Sequence, residues 1–161
     1  MKQLADIPKT TKLFWYVLGE TLCNMIRNRV QKEHKNFRDE TFVPYNKAYA
    51  KKKAAGDAVY KGGSQASTST KPDMTLTGKT MANLHVTDTT DKHVIFGWMG
   101  LHGGIVDDLY GRKKNYQIVG LERDDPFAPK EMDFINKHIE KDIDKKIKAY
   151  CKTPIKIKVG V

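Results

Sequence analysis

From Pro129 to Tyr150, Met132, Ile135, Ile139, Ile143 and Ile147 recur every three or four residues, while Lys137, Glu140, Lys141, Asp144, Lys145 and Lys148 fall between them. This spacing predicts a long helix with one apolar stripe, which must find a partner element to be stable in water. Pro129 suits the first turn, where a missing amide hydrogen is harmless, and Glu131 and Asp133 place negative charge near the positive end of the helix dipole.

A second amphipathic segment runs from Thr10 to about Lys35, with Phe14, Leu18, Leu22, Met25, Ile26 and Val30 on one side and Thr10 or Thr11 as the N-cap. Pro44 breaks the chain. Tyr45 to Ala55 then reads as a short helix, closed by Gly56, with Tyr45, Ala48 and Tyr49 on one side and a knot of Lys51, Lys52 and Lys53 in its last turns. Residues 61–71 are rich in Gly, Ser and Thr without apolar periodicity, which predicts a flexible loop. Ala82–Val86 and His93–Trp98 are β-prone runs joined by a turn-forming Asp/Thr stretch, hence a β-hairpin, with His85 and His93 able to face each other across it. Gly100 to Lys114 reads as a loop and Tyr116 to Leu121 as a third strand. After Pro154, residues 155–161 alternate apolar residues with lysines or glycine, which predicts a terminal strand or arm at about 153–161, pairing within its own subunit or with a neighbour. The expected architecture is α+β: a small antiparallel sheet packed by a long N-terminal helix and a long C-terminal helix, in a single domain spanning 1–161.

The longest apolar run, Leu13 to Leu18, covers six residues. A bilayer span needs about 20, so no membrane association is expected. The N-terminus has neither the length nor the cleavage site of a secretory signal, which points to the cytoplasm or a particle assembled there. Cys23 and Cys151 lack metal-type spacing and read as buried thiols in preference to a disulfide. With 29 basic and 19 acidic residues the net charge is +10, which favours nucleic acid or acidic protein surfaces as partners.

Patterns that carry chemistry fail on inspection. Gly78-Lys79-Thr80 resembles the end of a phosphate-binding loop, but the required earlier glycine is Asp73, whose carboxylate would repel phosphate. His34, His85, His93, His102 and His138 make no HExxH or zinc-like spacing. The adjacent carboxylates Asp107–Asp108 and Asp124–Asp125 suit turns and caps, and no nucleophile motif is present. The expectation is a protein that is not an enzyme, with no catalytic residues, no metal and no cofactor.

Two stretches carry a family likeness: Phe42–Gly56 (FVPYNKAYAKKKAAG) and Lys71–Val86 (KPDMTLTGKTMANLHV). Through Pro44, Tyr45, Tyr49, Ala50, Lys53, Pro72, Asp73, Leu76, Thr77, Gly78 and Met81, the chain resembles the tail-completion or virion-morphogenesis proteins of tailed bacteriophages. Asn115–Leu121 and the final helix are similar to the strand and helix that follow in that family. The family's Arg-Pro-Phe-Leu-Gly is matched by Pro126 and Phe127, whereas Asp125, Ala128 and Pro129 depart from it.

The resemblance implies a structural virion subunit of the neck, forming a homo-oligomeric ring, commonly of six copies, as a head-tail connector or tail terminator. It implies phage neck, connector and tail proteins as partners, and a place in the virion after assembly in the host cytoplasm. Pro44, Tyr45, Tyr49, Pro72, Asp73, Leu76, Thr77, Gly78 and Met81 are then structural, with Gly78 allowing a turn and Thr77 capping the turn that holds Met81. Lys51, Lys52 and Lys53 become candidates for facing a partner or passing DNA. The alternative weighed against this is a basic DNA-binding accessory protein of a phage, using the same lysines. A phage-encoded hydrolase using Asp107 or Asp108 is the third reading.

Overall fold

The computed structural model of the chain describes residues 9–58, 64–75, 78–112, 118–120 and 126–152. Helix α1 (Lys12–Asn28) opens at Thr11, whose hydroxyl accepts from the Phe14 amide at 3.2 Å. It continues into a π-helical turn, Arg29–Glu33, and stops at His34 in the left-handed region. The wider turn lets the neighbouring residues Arg29 and Val30 both be buried.

A loop then returns on itself through buried Asn36, whose side-chain oxygen accepts from the amides of Arg38 and Glu40. This delivers Phe42 into the core. Helix α2 (Lys47–Ala55) is capped by Asn46 and ended by Gly56 at φ 83°. It therefore begins two residues after Tyr45, which stands outside it and meets Tyr49 edge-on at 4.8 Å. The one-turn helix α3 (Lys79–Ala82) follows Gly78, whose φ of 77° suits glycine.

Strands β1 (Leu84–Thr89) and β2 (Val94–Trp98) form the expected antiparallel hairpin, with a bulge between Val86 and Asp88. Its turn is held by Thr90, whose hydroxyl accepts from the amides of Lys92 and His93. Among the described residues these are the two strands of the sheet. The expected third strand is corrected where it is described: residues 118–120 form a bend, closed by Gly120 N–H donating to the Pro126 carbonyl at 2.8 Å. The rest of that run lies outside the described residues, as does the expected strand in 153–161.

The Gly100–Lys114 stretch is also corrected. It contains helix α4 (Leu101–Arg112), which buries Val106 and leaves Leu101 and Ile105 exposed. Gly103 and Gly104 lower helix propensity and hid this element. Gly103 sits where a Cβ would come within 3.3 Å of the Trp98 carbonyl.

Helix α5 (Pro129–Lys152) runs antiparallel to α1: the His138 ring lies 4.8 Å from that of Phe14, and Lys146 donates to the Thr10 hydroxyl at 2.7 Å. Its apolar stripe is half-buried through Met132, Ile135 and Ile139, while Ile143 and Ile147 are exposed. The result is an α+β domain with a small antiparallel sheet, a long N-terminal helix and a long C-terminal helix. The core gathers Cys23, Ile26, Val30, Phe42, Met81, Leu84 and Ile118. No helix among the described residues is long and apolar enough to cross a membrane.

Gly19 is the point of closest approach between α1 and the hairpin: a Cβ there would lie 2.6 Å from Val94 Cγ2 and 2.7 Å from Val86 Cγ2. Replacing a helix-interior glycine by alanine ordinarily stabilises by about 1 kcal/mol. Here Gly19→Ala is expected to reduce stability by about 1–3 kcal/mol through overpacking, measured by urea denaturation. An unchanged or raised midpoint contradicts this packing.

Candidate functional site

Several of the residues that prompted the resemblance, Tyr45, Tyr49, Lys53 and Asp73, meet in one place. Helix α2 projects Lys53 inward, where it is fully buried and ion-paired with Asp73 Oδ1. Tyr45, held just before the helix by the Asn46 cap, presents its ring 5.0 Å from the Lys53 ammonium and its hydroxyl 3.3 Å from the donating Asp73 amide. Asp73 Oδ1 also accepts from the Thr75 amide at 3.0 Å, and Oδ2 from the Ser67 hydroxyl. Thr75 Oγ1 in turn donates to the Asp73 carbonyl and accepts at 2.8 Å from Gln31 of the π-helical turn. His34 contacts the carbonyl of buried Pro72 at 3.1 Å.

The preceding Gly/Ser/Thr segment has neither helix nor strand where described, yet it is tied down. Gln65 donates to the carbonyls of Lys53 and Ser67, and its side-chain oxygen accepts from the Ala58 amide. The Asp73 carboxylate thus has both oxygens engaged, and Lys53 has no route to solvent. Low-dielectric burial makes such a pair costly unless every group is satisfied, which is what the surrounding donors accomplish. Desolvation pushes the Tyr45 and Tyr49 hydroxyls above the usual tyrosine range, with the Asp73 charge adding to the shift.

Lys53 is therefore corrected as a partner- or DNA-facing residue: it is interior, because Asp73 lies opposite it. Lys51 and Lys52 remain exposed. Pro44 is exposed before α2, and Met81 is buried in the core. Leu76 and Thr77 lie outside the described residues. The turn holding Met81 starts at Gly78 with no side-chain cap.

A second buried ion pair links distant segments. Arg29 Nε meets Glu131 Oε1 at 2.7 Å, while its Nη2 donates to the Ile118 carbonyl at 2.7 Å and its Nη1 to the Lys35 carbonyl at 3.1 Å. Glu131 Oε2 accepts from the Ala128 amide at 2.9 Å, capping the start of α5. No sequence pattern marked Arg29 or Glu131 as partners, since they lie 102 positions apart.

His85 and His93 do not face each other: His85 pairs with Gly97, and His93 sits in the hairpin turn against Thr90. Among the described residues no three His, Cys, Asp or Glu side chains gather as metal ligands would. Asp107 and Asp108 fall on α4, with side chains outside the described atoms, and Asp124 and Asp125 lie outside the described residues. No family model, curated protein or solved structure matches the chain.

Cys23, on the core face of α1, has its thiol pushed up to about 11 by burial, with the Glu20 charge adding to the effect. A thiol harder to ionise when folded than when unfolded contributes stability that is complete below about pH 9 and is lost as pH rises toward 11. Urea melts at pH 8 and pH 11 should show wild type losing about 2 kcal/mol more than Cys23→Ala over that interval. Equal losses in the two proteins would contradict it.

Proposed function

We propose that this chain is a non-enzymatic structural subunit of a tailed-phage virion, placed in the neck or tail-completion region and assembling with copies of itself into a ring. The observation that carries the proposal is the convergence of Tyr45, Tyr49, Lys53 and Asp73, four of the residues of the family likeness, on one closed buried ion-pair cluster. Those residues serve the fold, so their likeness to the family is one of architecture. Assembly is supported by the apolar surface left at Leu101, Leu13, Met99 and Ile95, which are 87%, 68%, 57% and 51% exposed. The net charge of +10 suits a ring whose lumen passes DNA, with Lys51 and Lys52 available to phosphates.

The DNA-binding accessory reading is weaker, because the lysine knot on which it relied has one of its members sealed in the interior. In purified particles of the phage that encodes this chain, antibody labelling followed by electron microscopy should place it at the head–tail junction or the end of the tail. Its absence from intact particles would overturn the proposal.

A further inference from the structure

We propose that helix α2 is a releasable latch: it leaves the body while the rest of the domain stays folded, and its release delivers Lys53, beside Lys51 and Lys52, to the phosphate backbone of a nucleic acid. This goes beyond the ring proposal and is tested apart from it.

The two sides of the Lys53–Asp73 pair are fastened unequally. On the Asp73 side, Met74 packs against the apolar core, Thr75 Oγ1 accepts from Gln31, and the His34 ring contacts the Pro72 carbonyl. On the α2 side, Lys53 is the one buried residue of the helix. Tyr49 and Ala50 are half-buried, and Lys47, Lys51, Lys52, Ala54 and Ala55 are exposed. Besides the ion pair, Tyr49 meets Tyr45 edge-on, and Gln65 donates to the Lys53 carbonyl. Release needs no movement of the core, because the chain before α2 is anchored at buried Phe42 and the chain after it leaves through exposed Gly56.

Local opening occurs where apolar contacts are few and polar contacts carry the closure. A buried ion pair is a weak fastener of that kind, since its Coulomb attraction is largely offset by the water both charges gave up. On release Lys53 regains its hydration. The Asp73 carboxylate keeps the Thr75 amide and the Ser67 hydroxyl as donors. A nine-residue helix is too short to persist alone in water, so the freed stretch becomes an extended coil that can follow a charged strand.

The freed stretch is wholly cationic: Lys47–Ala55 carries Lys47, Lys51, Lys52 and Lys53 and no acidic residue. In the latched form Lys53 is sealed from solvent. A polyanion therefore meets one more cation in the released form, and that difference in contacts shifts the equilibrium toward release. A phosphate backbone suits the coil because binding it demands charge without fixed geometry, and the net charge of +10 draws a polyanion from a distance. The buried pair is then an autoinhibitory contact, with Asp73 holding back the lysine that the nucleic acid competes for.

The test uses the full chain, Asp73→Asn, and Asp57→Asn as a control that removes an exposed carboxylate next to α2 and makes the same change in net charge. Amide hydrogen exchange is read at Lys53 and Ala54 of α2 and at Cys23 and Ile26 of α1. Binding to a duplex of roughly 20 base pairs is titrated across salt concentrations. In wild type the α2 amides are expected to exchange roughly a hundredfold faster than the α1 amides. In Asp73→Asn they lose protection altogether while Cys23 and Ile26 keep theirs. That variant binds the duplex more tightly than Asp57→Asn, with a salt slope steeper by about 0.9, the signature of one added phosphate contact. Wild-type α2 amides as slow as those of α1, or α2 protection that survives in Asp73→Asn, would overturn the latch. Loss of protection at Cys23 and Ile26 in Asp73→Asn would overturn it as well, because α2 is then inseparable from the core. An Asp73→Asn variant that frees α2 yet binds with the affinity and salt slope of Asp57→Asn would overturn the delivery of Lys53 to phosphate.

Discussion

The pairing of Lys53 with Asp73 is the constraint around which the middle of the chain is organised. A buried ammonium and a buried carboxylate are tolerable only at short range and with their remaining valences met. Meeting them dictates where Tyr45, Ser67 and Thr75 must be, and Gln31 and Gln65 then attach this cluster to the π-helical turn after α1 and to the end of α2. Helix α2 has little apolar surface, and Lys53 is its one buried residue. The ion pair, more than hydrophobic burial, holds that helix to the body.

Helix α1 is the spine on which the hairpin and α5 pack. Its Gly19 admits the hairpin, Glu20 accepts from the Val86 amide at 3.1 Å, and Arg27 donates to the carbonyls of Met81 and Leu84. Its π-helical end aims Arg29 at Glu131, so one guanidinium gathers the Lys35 loop, the 118–120 bend and the start of α5. The Lys53–Asp73 pair serves a helix with no other buried residue, and the Arg29–Glu131 pair borders the apolar core at Val30 and Ile118. Polar contacts supply there the definition that the compact apolar core supplies around Cys23 and Ile26.

Elements with strong local signals were legible in the sequence: α1 and α5 by the period of their apolar faces, the hairpin by its β-prone runs and Asp/Thr turn, and α2 by its helix formers between Pro44 and Gly56. Helix α4 was not, because Gly103 and Gly104 carry no side chains to show the period and weaken the propensity that remains. The motif residues Tyr45, Tyr49, Pro72 and Asp73 were identified as structural, but their meeting place was hidden. Lys53 stands in a run of three lysines, which in sequence looks like a solvated surface, and only the position of Asp73, 20 residues later, turns one of the three inward. Arg29 with Glu131 was equally silent, since nothing local links charges so far apart.

A chain arranged this way devotes its buried polar chemistry to holding itself together, while apolar residues such as Leu101 and Leu13 stay exposed. The most direct test of that account is a double-mutant cycle on the central pair, using Lys53→Met, Asp73→Leu and the combination, with stability read by urea denaturation. The account predicts that each single substitution costs about 3–5 kcal/mol and that the double variant recovers at least 1 kcal/mol of the sum. Single substitutions that leave stability unchanged, or a double variant whose loss is simply additive, would contradict it.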